Sequence, residues 1–119
     1  MSAYQSVFRA GQFADKVMVV TGGGSGIGRC TAHELAALGA TVVLVGRKEE
    51  KLLKTVAEIR EDGGAADHRV LDIRVEDDVR ACVKSILEEH GAIAGLVNNA
   101  GGQFPSPVAA INQKGFETV

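Results

Sequence analysis

Lys16-Val17-Met18-Val19-Val20-Thr21-Gly22-Gly23-Gly24-Ser25-Gly26-Ile27-Gly28-Arg29 is the stretch on which the fold turns. Val17 to Val20 form a short, continuous apolar run ending in glycines, the pattern of a strand buried on both faces. A helix is predicted directly after it, over residues 27–38, with Ile27, Thr31, Leu35 and Leu38 on one stripe and Gly39 as its stop. Glycines between strand and helix let the chain turn tightly and let phosphates approach the backbone. Free N–H groups and the positive end of the helix dipole then favour an anion. The run from Thr21 through Gly22, Ser25, Gly26, Ile27 and Gly28 is therefore placed to hold the pyrophosphate of a dinucleotide. A plain flexible glycine turn is the competing reading of this motif taken alone.

Downstream the alternation continues. Residues 41–45 are a second β-branched run, and 48–62 a helix with Leu52, Leu53, Val56 and Ile59 inward, ended by Gly63-Gly64. Residues 69–72 belong to a third strand. A helix over 76–90 places Val79, Cys82, Val83, Ile86 and Leu87 inward, and 93–98 is a fourth strand. Another helix is expected after Asn112. This βαβαβαβ order implies an α/β, Rossmann-type doubly wound parallel sheet with strand order 3-2-1-4. Residues 1–15 read as a polar lead-in anchored by Phe8 and Phe13.

No repeat, linker or low-complexity segment interrupts the 119 residues, which read as a single dinucleotide-binding domain. That domain is expected to be cut before its second half, because Leu96 and Val97 would otherwise lie on an uncovered edge. Produced alone, such a chain is expected to fold poorly or to associate.

Composition narrows the class. Hydrophobic residues make up 45% and charged residues 24%, an ordinary soluble balance. A formal net charge of −2 provides no field for nucleic acid, and 4% aromatics with no Trp argue against base stacking. No apolar run reaches membrane-spanning length, and the N-terminus lacks a signal-peptide pattern. Cys30 and Cys82 read as reduced core residues of a cytoplasmic protein. His33, His68 and His90 share no metal-ligand spacing, so no metal is expected. Glu76-Asp77-Asp78 is favourable charge at a helix start.

Three further motifs end the later strands. Gly46-Arg47-Lys48 follows the second, where NAD-specific sites carry an Asp or Glu for the ribose hydroxyls. With Gly46 there, no carboxylate repels a 2′-phosphate, and Arg47 can grip one with its planar fork. NADP is favoured over NAD on that ground, against a simple solvated basic helix start. Asp72-Ile73 ends the third strand and Asn98-Asn99-Ala100-Gly101 the fourth. Both lie at the sheet edge where open α/β folds bind ligands. Asp72 as a helix cap and the paired Asn as a turn are the alternatives.

In this order and spacing the motifs resemble the short-chain dehydrogenase/reductase family, from about Phe13 to the end of the chain. The resemblance implies that Gly22, Ser25, Gly26, Ile27 and Gly28 hold the pyrophosphate. It implies that Asp72 and Ile73 contact the adenine, and that Asn98, Ala100 and Gly101 lie beside the adenosine ribose. Arg47 looks like the basic residue of NADP-selective members. The segment Gly101-Gly102-Gln103-Phe104-Pro105-Ser106-Pro107 resembles the enoyl-CoA and dienoyl-CoA reductase branch and bacterial dehydrogenases of acyclic terpene alcohols. It implies a long apolar substrate, acyl-CoA or terpenoid.

The family's chemistry needs a Tyr general acid/base with a Lys four residues on, a Ser and an Asn. The only tyrosine here is Tyr4, and Phe8 stands four residues after it, so none of the 119 residues is expected to be catalytic. The resemblance also implies a homo-oligomer, dimer or tetramer, at full length. The leading reading is the cofactor-binding part of an NADP-dependent oxidoreductase. A non-catalytic dinucleotide-binding scaffold is the alternative, and Arg47 and Asn98 argue against an S-adenosylmethionine enzyme.

Overall fold

The computed structural model describes residues 4–101 and 107–118. Val17–Thr21 forms β1 and Thr41–Gly46 forms β2, paired in parallel from Val17 against Thr41 to Thr21 against Val45. Ala65–Val70 is β3, parallel to β2, and Gly95–Val97 is β4, parallel to β1. The order is β3-β2-β1-β4, as the Rossmann-type reading expected. Between the strands run α1 (Gly26–Ala37), α2 (Glu49–Glu61) and α3 (Glu76–His90). A 3₁₀ turn, Val108–Ala110, precedes α4 (Gln113–Thr118), the helix expected after Asn112.

Strand alternation divides the core into two layers. Val20, Val42 and Leu44 pack against Ala32 and Ala36 of α1 and Leu52, Val56 and Ile59 of α2. Their neighbours Val19, Val43 and Val45 face the opposite way, onto Ile86 of α3. Both faces of the sheet are thus covered, and every connection returns to the same edge. No helix among the described residues is long and apolar enough to cross a membrane.

Several inward faces differ from the sequence expectation. α1 lies on the sheet through Gly28, Ala32 and Ala36, while Ile27 is 78% exposed. Small residues bring this helix close to the strands, and a stripe of larger side chains would hold it off. Cys30, two positions from both Gly28 and Ala32, points away and is exposed, not a core residue. Cys82 is half-buried, and burial pushes its thiol pKa up. In α2 the buried position is Thr55 instead of Leu53; its hydroxyl donates to the Lys51 carbonyl at 3.2 Å. In α3 only Ile86 is fully buried, and Val83 and Leu87 are exposed.

The third strand also sits earlier than expected, and Leu71 and Asp72 lie beyond its end. It carries Asp67, His68 and Arg69, so no apolar run marks it. β4 is short; Val97 is half-buried against the α1 layer, while Leu96 is 56% exposed on the edge. The N-terminal segment is anchored by half-buried Phe13, whose N–H donates to the Leu38 carbonyl at 2.9 Å. Phe8 is exposed and Tyr4 takes the second anchoring role. The Tyr4 ring stacks on His33 and its hydroxyl donates to Glu34, a bond that with burial raises the Tyr4 pKa to about 12.

Candidate functional site

The glycine-rich turn is built by long-range ties. Gly22 and Gly26 have φ of 67° and 56°, left-handed values that favour glycine. The Gly22 N–H donates to the Val45 carbonyl at 2.7 Å, joining the turn to the end of β2. On the other side the buried Thr21 hydroxyl accepts from the backbone N–H of Asn99 (3.0 Å) and Ala100 (2.9 Å) and donates to the Val97 carbonyl (3.3 Å). The Asn99 side-chain amide donates to the Gly22 carbonyl at 3.3 Å. A β-carbon on Gly28 would meet that same carbonyl and the Asn99 amide. The loop is therefore clamped between β2, β4 and α1.

Thr21 acts from behind the cleft as a tie between strand ends. Thr21→Val keeps the shape but leaves two backbone N–H groups without their acceptor. We expect a loss of about 2 to 4 kcal/mol in urea unfolding, at one to two kcal/mol per orphaned donor. An unchanged midpoint would refute the tie.

The start of α1 differs electrostatically from the other long helices. Ser25 is its N-cap with no side-chain capping bond, and its first turn has no acidic residue. By contrast α2 begins with Glu49 and Glu50, and α3 with Glu76, Asp77 and Asp78. The positive end of α1 thus has no carboxylate of its own, which suits it to an external anion.

Beside this start opens a cleft of about 660 Å³, within the range of small-molecule sites. Gly22, Ser25, Ala100 and Gly101 line one part of it, and Gly46, Arg47, Lys48, Leu71 and Ile73 another. Lys51 and Arg74 join Arg47 and Lys48 on its walls, and no carboxylate is among the described lining residues. The carboxylate of Asp72 is engaged by Arg74. Oδ1 accepts from the Arg74 backbone N–H at 2.9 Å, and Nη2 donates to Oδ2 at 2.9 Å. Arg74 lowers the Asp72 pKa from the usual 3.8 to about 2, with a smaller contribution from Arg47.

With its carboxyl pKa lowered, Asp72 keeps the pair at neutral pH and loses it as pH falls toward 2. Arg74→Gln should return the Asp72 midpoint toward 3.8 in a carboxyl NMR titration. A midpoint unmoved by the substitution would contradict the pairing.

Most of the residues singled out in the sequence meet here, with three qualifications. Asp72 sits beside the cleft and holds Arg74; it does not cap α3, whose N-cap is Val75. Asn98 is exposed past β4, and its neighbour Asn99 makes the contact with the glycine turn. Gly28 is buried under the turn while Ile27 stands out beside it. Gly102, Gln103, Phe104, Pro105 and Ser106 lie outside the described residues. Sequence reasoning missed Asn99, Lys51 and Arg74. For Asn99 a signal existed, since it lies two positions after Val97, whose side faces α1.

Among the described residues one other cluster, Asp67, Glu89 and His90, brings ligand-type atoms together. Arg69 already fills it, with Nη1 2.7 Å from Asp67 and Nη2 2.5 Å from Glu89. Its guanidinium supplies the positive charge a metal would bring.

Comparison with known proteins agrees with this geometry. The short chain dehydrogenase family model matches residues 16–119. The chain is 64% identical to a citronellol catabolism dehydrogenase of Pseudomonas aeruginosa, with a TM-score of 0.86 over 98% of this chain and 47% of that one. It is 37% identical to a metagenomic short-chain oxidoreductase solved with NADP, with a TM-score of 0.81 over 90% of this chain and 49% of that one. With an NAD+-bound xylitol dehydrogenase it shares 38% identity and a TM-score of 0.78, over 88% of this chain and 41% of that one. The chain spans 34% and 41% of the length of the first curated relatives it matches. Strand order, glycine turn and family match agree: the chain belongs to the short-chain dehydrogenase family.

Proposed function

We propose that this chain supplies cofactor binding to an NADP-dependent oxidoreductase that moves hydride between nicotinamide and a carbonyl, alcohol or enoyl substrate. The observation that carries the reading is the wall after β2, where Gly46 stands in place of a carboxylate and Arg47 follows at once. The relative solved with NADP supports it. A xylitol dehydrogenase with NAD+ is similar as well, so the reading leans on side chains at the strand ends, with those after β2 foremost.

A dinucleotide fits the residues present. Gly22 and Gly28 let the turn close tightly against Asn99, Ala100 and the start of α1, and α1 begins without an internal anion. In this reading Gly22, Ser25, Gly26, Ile27 and Gly28 hold the pyrophosphate, backed by Thr21. Arg47 and Lys48 hold the 2′-phosphate, Asp72 and Ile73 border the adenine, and Asn98, Ala100 and Gly101 border the ribose. Bound there, nicotinamide supplies or accepts a hydride, which must be matched by proton transfer at the substrate oxygen. Tyr4, the only tyrosine, is bound to Glu34 and stacked on His33 away from the cleft. We therefore assign proton transfer to residues outside these 119, and expect the isolated chain to be inactive.

The 64% identity to a citronellol catabolism dehydrogenase supports an acyclic terpenoid alcohol or aldehyde as substrate, with an acyl-CoA thioester as the second class. We further place the protein in the cytoplasm as a homo-oligomer; its two free thiols suit a reducing compartment. The test is turnover by the full-length protein, followed by nicotinamide absorbance with both substrate classes. NADPH-linked turnover should exceed NADH-linked turnover at least about tenfold in kcat/KM, the effect of one charge-assisted contact. Tight NADPH binding without turnover of either class would overturn the enzymatic reading in favour of a scaffold.

A further inference from the structure

We infer that Arg74, held in place by Asp72, is a further cation for the 2′-phosphate beside Arg47 and Lys48, and shares with Arg47 the choice of NADP; this rests on the NADP reading above. β2 and β3 are paired in parallel up to Gly46 against Val70, so the chain leaves both strands side by side. The Leu71 N–H still donates to the Gly46 carbonyl at 2.9 Å, keeping the two exits together. Arg47 leaves from one and Arg74 from the other, and both side chains line the same cleft. Asp72 lies within the field of both cations.

The loop that carries Arg74 is short and tied. The Val75 N–H donates to the Asp72 carbonyl at 3.0 Å, closing a turn from 72 to 75. Within that turn Asp72 accepts from Arg74 Nε at 3.1 and 3.2 Å as well as from Nη2, so the guanidinium is gripped along one edge. A guanidinium bound to a carboxylate along one edge can meet a phosphate along another. Holding it beforehand removes part of the ordering cost that a long exposed side chain carries into binding. The charge balance also fits, since the charged residues among the described lining are Arg47, Lys48, Lys51 and Arg74, and Asp72 beside them is paired to Arg74. Asp72 is then a positioning residue for Arg74.

Calorimetry on the full-length protein separates this from the reading it rests on. NADPH and NADH are titrated into the wild type, Arg74→Gln, Arg74→Lys and Arg47→Ala. Arg74→Gln should weaken NADPH about tenfold and leave NADH within about twofold, since only NADPH carries the extra phosphate. Arg74→Lys should recover part of the loss, because the charge remains while the fork is gone. Equal weakening of both cofactors, the result of stacking on adenine, would overturn the inference, as would no change in either. If Arg47→Ala abolishes the preference while Arg74→Gln does not, the inference fails and the NADP reading stands. A wild type with no preference removes both. Arg74 is exposed at 47% of its side chain, so its variants are expected to fold, and a thermal melt checks this.

Discussion

Gly28→Ala is expected to weaken dinucleotide binding at least about a hundredfold and to destabilise the fold by about 3 kcal/mol, the upper range for overpacking against backbone. The sign is opposite to the usual one. Inside a helix, replacing Gly by Ala normally stabilises by about 1 kcal/mol. Here Gly28 is buried in the first turn of α1, and its missing β-carbon is the space taken by the Gly22 carbonyl and the Asn99 amide. Neither neighbour yields easily. The carbonyl belongs to a loop already tied to Val45, and Asn99 is tied to Thr21. A methyl group at position 28 must push α1 away from the turn, which separates the helix start from the N–H groups it presents with the loop. Urea unfolding measures the first effect and calorimetric titration with NADPH the second. A variant as stable as the wild type, binding as tightly, would show that the close approach is dispensable.

The paired change Gly46→Asp with Arg47→Ala is expected to reverse cofactor preference, turning an NADPH binder into an NADH binder. Gly46 is the last residue of β2, and its φ is not among the left-handed values. A side chain is therefore allowed by the backbone. Its β-carbon would lie 3.2 Å from a methyl of Leu52, a contact that a shift of that side chain relieves. The new carboxylate repels a 2′-phosphate and accepts from ribose hydroxyls, while the guanidinium that attracted the phosphate is gone. Removing one charge-assisted hydrogen bond to NADPH and creating another to NADH is worth about 3 kcal/mol in all, or roughly a hundredfold swing in the affinity ratio. Calorimetry with the two cofactors reads the swing. A ratio that stays on the NADPH side would place the selectivity elsewhere in the cleft.

How much was legible in the sequence follows from what kind of signal each part leaves. β1 and β2 are buried on both faces and announce themselves as apolar runs, and the glycines between β1 and α1 are a local necessity of the turn. The strand order follows from the crossovers. β3 left no such mark because it is an edge strand whose middle is polar, Asp67, His68 and Arg69, with Asp67 and Arg69 paired to each other instead of serving a core. On α1 the periodicity places Leu35 and Leu38 inward, as they are, but it weights large side chains and so includes exposed Ile27, while the helix approaches the sheet on Gly28, Ala32 and Ala36. In α3 the apolar pattern exceeded what the described structure buries. Arg47 could be read from its position after β2. Arg74 could not, since its place depends on the pairing of β2 with β3 and on its bond to Asp72. Asn99 stood next to the residue chosen, and only the contact with Gly22 separates the two.

The most direct test of NADP selection at the end of β2 is calorimetric titration of NADPH and NADH into the full-length wild type and Arg47→Ala at one fixed salt concentration. The wild type is expected to bind NADPH at least about tenfold more tightly than NADH, and Arg47→Ala to cut that ratio about tenfold. Equal affinities in the wild type, or a ratio unchanged in Arg47→Ala, would contradict it.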